Sequence, residues 1–80
     1  MDFYDTLERL QWIHELILRE ATGTPDELAR RFRLSKRHVY NMLDKLRERG
    51  AIIEYSDIKL TYYYVEGFEF HVRIGPEKNY

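Results

Sequence analysis

The 80-residue sequence predicts an α+β fold, with helices first and a small antiparallel sheet after them. Three observations predict it. Apolar residues recur at three-and-four spacing as far as residue 49, then alternate after Gly50. Helix start and stop signals, Thr24-Pro25, Ser35 and Gly50, punctuate the first part. The later part concentrates β-branched and aromatic residues, as in "TYYYV" and "FEFHVRI".

The first helix is "FYDTLERLQWIHELILRE", with Leu10, Ile13 and Ile17 on one stripe and Leu7 and Leu16 beside it. It is expected to stop near "ATG", with Gly23 as the breaker. His14, next to Ile13, reads as a residue packed at the boundary of this helix. "TPDE" opens the second helix: Thr24 caps it, Pro25 suits its first position, and Glu27 stands where a capping box needs it. Leu28, Ala29 and Phe32 form its apolar face, and the chain turns at Arg33–Leu34. Ser35 caps the third helix, residues 35–49, whose buried side is Val39, Met42, Leu43 and Leu46, with Gly50 as its stop. "AIIEY" and "TYYYV" are strands joined by "SDIKL". "FEFHVRI" is a further strand, with Phe68, Phe70, Val72 and Ile74 on one face, ended by Gly75–Pro76. Two helices joined by a short turn, followed by strands, is the order of a winged helix-turn-helix. One domain over residues 1–75 and a short tail at 76–80 are expected.

Composition narrows the function. Hydrophobic residues at 44% and aromatics at 15% suffice for one small core. The absence of cysteine excludes a disulfide framework and thiolate chemistry. The acidic "MDFYDTLERL" is no signal peptide and no segment reaches membrane-span length, so a cytoplasmic protein is expected. His14, His38 and His71 lie on three different elements without carboxylates at ligand spacing, so no metal site and no cofactor are expected. Nor is there a nucleophile–base pair, a Gly-rich phosphate loop or a paired-carboxylate motif, so an enzyme is not expected.

Charge is the informative feature. The net charge is -1, yet residues 1–27 hold seven acids and two bases, residues 28–49 two acids and eight bases, and residues 50–80 five acids and three bases. The run "RRFRLSKRHVYN" has no acid. Such separation speaks to partners rather than to fold.

The stretch "TPDELARRFRLSKRHVYNMLDKLRERGAIIEY", with the aromatic strand Tyr62–Tyr64, resembles the winged helix-turn-helix of DeoR-like and WYL-domain bacterial transcription regulators. Thr24-Pro25, Glu27-Leu28-Ala29, Leu34-Ser35, Arg37, Val39-Tyr40, Leu43, Leu46-Arg47, Gly50 and Ile53-Glu54-Tyr55 carry the likeness. It implies double-stranded DNA as partner, with the third helix in the major groove. Asn41 and His38 replace the basic residue and the Thr usual there, so base preference is not carried over. Those regulators continue into a sensing domain, so two alternatives stay open: a separate sensor protein, or a chain that is part of a longer regulator.

Independently of that likeness, the helical wheel puts Arg37 and Asn41 opposite the buried stripe, with His38 and Tyr40 flanking. These four are the expected base contacts, since Arg suits guanine and Asn suits adenine. Arg30, Arg31, Arg33, Ser35, Lys36 and the loop residue Lys59 are the expected phosphate contacts. A homodimer would match a palindromic site. The alternative is a winged-helix protein–protein interaction or dimerisation module, for which Phe3, Tyr4 and Trp12 on helix 1 are the candidate surface.

Overall fold

A computed structural model of the chain describes residues 3–70, with side chains from Thr6 onward. The elements are α1 (Phe3–Leu18), α2 (Pro25–Phe32), α3 (Lys36–Glu48), β1 (Ile53–Ser56) and β2 (Thr61–Tyr64). The strands pair antiparallel, Ile53 opposite Tyr64 and Ser56 opposite Thr61. The described residues are thus α+β, three helices and a two-stranded antiparallel sheet.

Every element contributes to one core. Leu10, Ile13 and Ile17 of α1, Leu28 of α2, Val39, Leu43 and Leu46 of α3, and Ile53 and Tyr62 of the sheet are buried together. Each such aliphatic side chain contributes roughly 1.5–3 kcal/mol by leaving water. Trp12 sets its ring edge-on against Phe32 at 5.3 Å, clamping α1 to α2.

The starts of α2 and α3 follow their caps. The Glu27 N–H donates to Thr24 Oγ1 at 3.2 Å and the Thr24 N–H to Glu27 Oε1 at 2.8 Å, a complete capping box. The His38 N–H donates to Ser35 Oγ at 3.2 Å. All three helices stop alike, each with a left-handed residue whose N–H and following N–H turn back on the last carbonyls. Gly50, at φ 103°, is the expected stop of α3. Its N–H reaches Arg47 O, and that of Ala51 reaches Leu46 O.

The other two stops use residues that are not glycine. Arg33, at φ 58°, closes α2, with N–H groups of Arg33 and Leu34 on Arg30 O and Ala29 O. Glu20, at φ 54°, closes α1 through Ile17 O and Leu16 O, so α1 ends at Leu18 rather than near Gly23. Gly23 has a different task. It adopts φ 78°, and a Cβ there would stand 2.6 Å from Glu27 Oε1, the oxygen of the capping box.

A pair of buried hydroxyls joins the α1–α2 connection to the sheet. Thr22 and Thr61 are each 1% exposed. The Thr22 N–H donates to Thr61 Oγ1 at 3.0 Å, the Tyr62 N–H donates to Thr22 Oγ1 at 2.9 Å, and the two hydroxyls stand 3.1 Å apart. Thr22 Oγ1 also lies 2.9 Å from Gly23 O, and Thr61 Oγ1 2.9 Å from Tyr62 O. Two hydroxyl protons thus have three places to go, and both oxygens accept a backbone N–H.

Two further expectations are corrected. Residues 67–70 form no strand; residues 71–74 of the expected strand lie outside the described residues, as do His71 and the tail. Phe68 and Phe70 do turn inward, but onto rings rather than into a ladder. His14 is not at a boundary: it is 3% exposed, with Nδ1 2.8 Å from the Tyr64 hydroxyl. Its ring is edged by Phe68 at 5.8 Å and Phe70 at 6.1 Å, and Arg49 lies over Phe70 at 5.4 Å.

Thr61→Val preserves shape but leaves the buried Thr22 N–H without its acceptor. The expected loss is about 1–3 kcal/mol, read as a lower urea midpoint at unchanged m-value.

Candidate nucleic-acid interface

The α2–α3 turn gathers the cations. Leu28, Ala29 and Phe32 are drawn into the core, which leaves Arg30 and Arg31 on the opposite side of α2, both exposed. Arg33 follows in its left-handed conformation. Ser35 then starts α3, and Lys36 and Arg37 occupy its first turn, again exposed. Among the described residues the side chains of Arg30, Arg31, Arg33 and Arg37 make no ion pair or hydrogen bond, whereas Lys36 stands 3.5 Å from Asp26. That pair is exposed on both sides and worth at most about 1 kcal/mol, so a phosphate can compete for the lysine.

The four expected base contacts are all exposed but do not share one face. Arg37 and Asn41 form the ridge opposite the buried stripe Val39, Met42, Leu43 and Leu46. His38 lies to one side, where with Asn41, Lys45, Thr6 and Arg9 it lines a groove of about 440 Å³ between α3 and α1. Its floor is Leu34 and Met42. Tyr40 lies to the other side, beside Tyr62 of β2. Burial first, then Tyr40 and Tyr55 as neighbours, push the Tyr62 phenol up to about 12, against the opposing effect of Arg47.

Further along the ridge the sign of charge reverses at Asp44 and Glu48. Arg47 holds Asp44, Nη1 to Oδ1 at 3.1 Å, and donates from Nη2 to the Ile53 carbonyl at 3.1 Å. This arginine is a structural tie between α3 and β1. The pattern of the sequence did not mark this tie, because the carbonyl it serves is brought to it by the turn after Gly50. The useful basic surface therefore ends within the first turns of α3.

Two further phosphate candidates are engaged elsewhere. The Ser35 oxygen accepts the His38 N–H, and its hydroxyl lies 3.4 Å from His38 Nδ1. Lys59, in the hairpin turn, pairs with Glu20 at 3.3 Å, an exposed contact. Phe3 and Tyr4 of the alternative surface have side chains outside those described. Trp12 is 54% exposed while its edge contact on Phe32 is kept. Among the described residues no His/Cys/Asp/Glu group is arranged to hold a metal, and no helix is long and apolar enough to cross a membrane.

Comparison with protein-family models, with curated proteins and with solved structures finds no match to this chain.

The Tyr62 shift has a definite sign in stability. Its folded pKa lies above the ordinary value of 10.0, so the neutral phenol is favoured in the fold. Stability should hold below pH 10 and fall as pH rises toward about 12, where the unfolded chain gives up the proton first. Urea midpoints measured across this range should fall less steeply for Tyr62→Phe than for the wild type.

Proposed function

We propose that the chain is a winged-helix protein that binds double-stranded DNA in transcriptional regulation, with the N-terminal turns of α3 in the major groove. The observation that carries this reading is the set of arginines, Arg30, Arg31, Arg33 and Arg37, that make no ion pair among the described residues and surround the start of one exposed helix in a chain of net charge -1. Solvating a helix face does not require acids to be excluded from twelve consecutive residues, 30–41. Phosphate binding is favoured by it, because no acid then stands among the contacting cations. Arg37 and Asn41 on the ridge are the base readers, with His38 and Tyr40 reaching the two edges of the groove. Arg30, Arg31, Arg33 and Lys36 hold the backbone. The three helices and hairpin support a winged-helix assignment, with residues 57–60 as the wing.

A second reading, a protein-interaction or dimerisation module, has its own support. Leu18, Ile52 and Val65 are each about half exposed, and the Val65 N–H bonded to Ile52 O sets the last two side by side. The two readings combine in a homodimer on a palindromic site.

Fluorescence anisotropy with mixed-sequence duplex DNA at about 50 and 200 mM salt tests the first reading. Four phosphate contacts give a log–log slope of roughly -3 to -4, hence about a hundredfold weaker binding at the higher salt. An Arg31/Lys36/Arg37 triple alanine variant should lose binding. Absence of binding by the wild type at the lower salt would favour the interaction module.

Arg37→Ala alone should relax sequence preference, costing roughly 1–3 kcal/mol at a preferred site if the contact is bidentate. Site selection from random duplexes, wild type against variant, checks it.

A further inference from the structure

α3 turns a stripe of unlike side chains toward α1. His38, Asn41, Lys45 and Glu48 follow one another at steps of three and four, the spacing that sets helix residues in one line. The line runs about 15 Å along the helix axis. It forms one wall of the groove of about 440 Å³, with Leu34 and Met42 beneath it and Arg9 of α1 also at the lining. Small-molecule sites occupy roughly 300–1,000 Å³ and combine an apolar bed with a few convergent polar groups. This groove has the size and both kinds of lining.

Two charges at the groove are not neutralised within the fold. Among the described residues Lys45 and Glu48 are in no ion pair, although they stand three residues apart on one helix face. Asp44, also at the groove, is by contrast held by Arg47 at 3.1 Å. The place of Glu48 is itself unfavourable. It is the last residue of α3, where the negative end of the helix dipole opposes a carboxylate. Both signs of charge are therefore open to a third party over an apolar floor. An anion would gain Lys45 and Arg9 but meet Glu48. A cation would gain Glu48 but meet the two bases. An uncharged apolar molecule would cover Leu34 and Met42 and leave the charged wall unused. A molecule with both signs on an apolar body gains from all of them, and the unbranched Met42 adapts to the shape of that body.

We propose that the α1–α3 groove binds a small zwitterion with an apolar body, an apolar amino acid or dipeptide. Its carboxylate meets Lys45 and Arg9, its ammonium meets Glu48, and its side chain covers Leu34 and Met42. The site itself does not depend on the DNA-binding reading. Its consequence does: His38 and Asn41 belong both to the groove wall and to the base contacts of that reading, so zwitterion and duplex exclude one another and the small molecule releases DNA.

The test titrates the full chain, labelled with nitrogen-15 and free of DNA, with L-leucine and separately with L-leucyl-L-leucine, up to roughly 10 mM, enough to reveal millimolar affinity. Amide shifts should gather at Arg9, Asn41, Met42, Lys45 and Glu48, and the tighter binder distinguishes amino acid from dipeptide. Glu48→Gln and Lys45→Gln, both at exposed positions, should each weaken binding about tenfold, as loss of a charged hydrogen bond does. The N-acetylated form of the tighter binder, which lacks the ammonium, should bind as weakly to the wild type as to Glu48→Gln. Absence of shifts with both zwitterions, shifts gathered away from the groove, or an acetylated form that binds the wild type as tightly as its parent overturns the site. Added to a protein–duplex complex, the zwitterion should lower the anisotropy with wild type and not with Glu48→Gln. Groove binding with the duplex still held overturns the release. Groove shifts in a chain that binds no duplex at low salt support the site and overturn the DNA-binding reading alone.

Discussion

Two threonine hydroxyls, 3.1 Å apart and shut away from water, decide where the hairpin sits. A two-stranded ribbon is marginal by itself in water. Here β2 is bordered on one side by β1 and on the other by the Thr22 segment, which offers one hydroxyl acceptor to the Tyr62 N–H and takes another for its own N–H. The contact replaces a third strand with the shortest polar unit that can do the job. It also couples regions 39 residues apart in sequence, so the position of the hairpin depends on the end of α1 being correctly formed.

That end is formed against propensity. Glu20 and Arg33 both take the left-handed conformation that glycine takes more cheaply, and Gly50 alone of the three stops is the favoured residue. What compensates is the burial that follows each turn: Thr22 after Glu20, Leu34 against the core after Arg33, Ala51 after Gly50. The Arg33 turn has a further effect. By ending α2 abruptly it lets Ser35 start α3 within two residues, which brings the arginines of α2 and the first turn of α3 into one neighbourhood.

Charge then acts on a surface that packing has already arranged. Acids of the first turn of α2 are absorbed, Glu27 by the Thr24 N–H and Asp26 by Lys36. Asp44 is absorbed by Arg47, and Glu20 by Lys59. Among the described residues the arginines around the α2–α3 turn are in no ion pair. A near-neutral chain can in this way present a cationic face, because its acids lie mostly outside residues 28–49, where eight bases meet two acids.

Much of this was legible in the residue pattern. Caps at Thr24 and Ser35, the stop at Gly50, the buried stripes of α2 and α3 and the strand pair around "SDIKL" all depend on neighbours within a few positions, and local chemistry determined them. So did the clustering of exposed cations between Arg30 and Arg37. The stop of α1 was misplaced to Gly23 because a left-handed glutamate has no sequence signature. Thr22 and Thr61, the burial of His14 against Tyr64, and Arg47 on the Ile53 carbonyl were invisible for a different reason: each joins groups that only the packed helices bring within 3.1 Å. Periodicity states which face of an element turns inward; which polar atom meets which, and in what direction a hairpin points, is decided when tertiary packing removes water and every buried donor must find an acceptor.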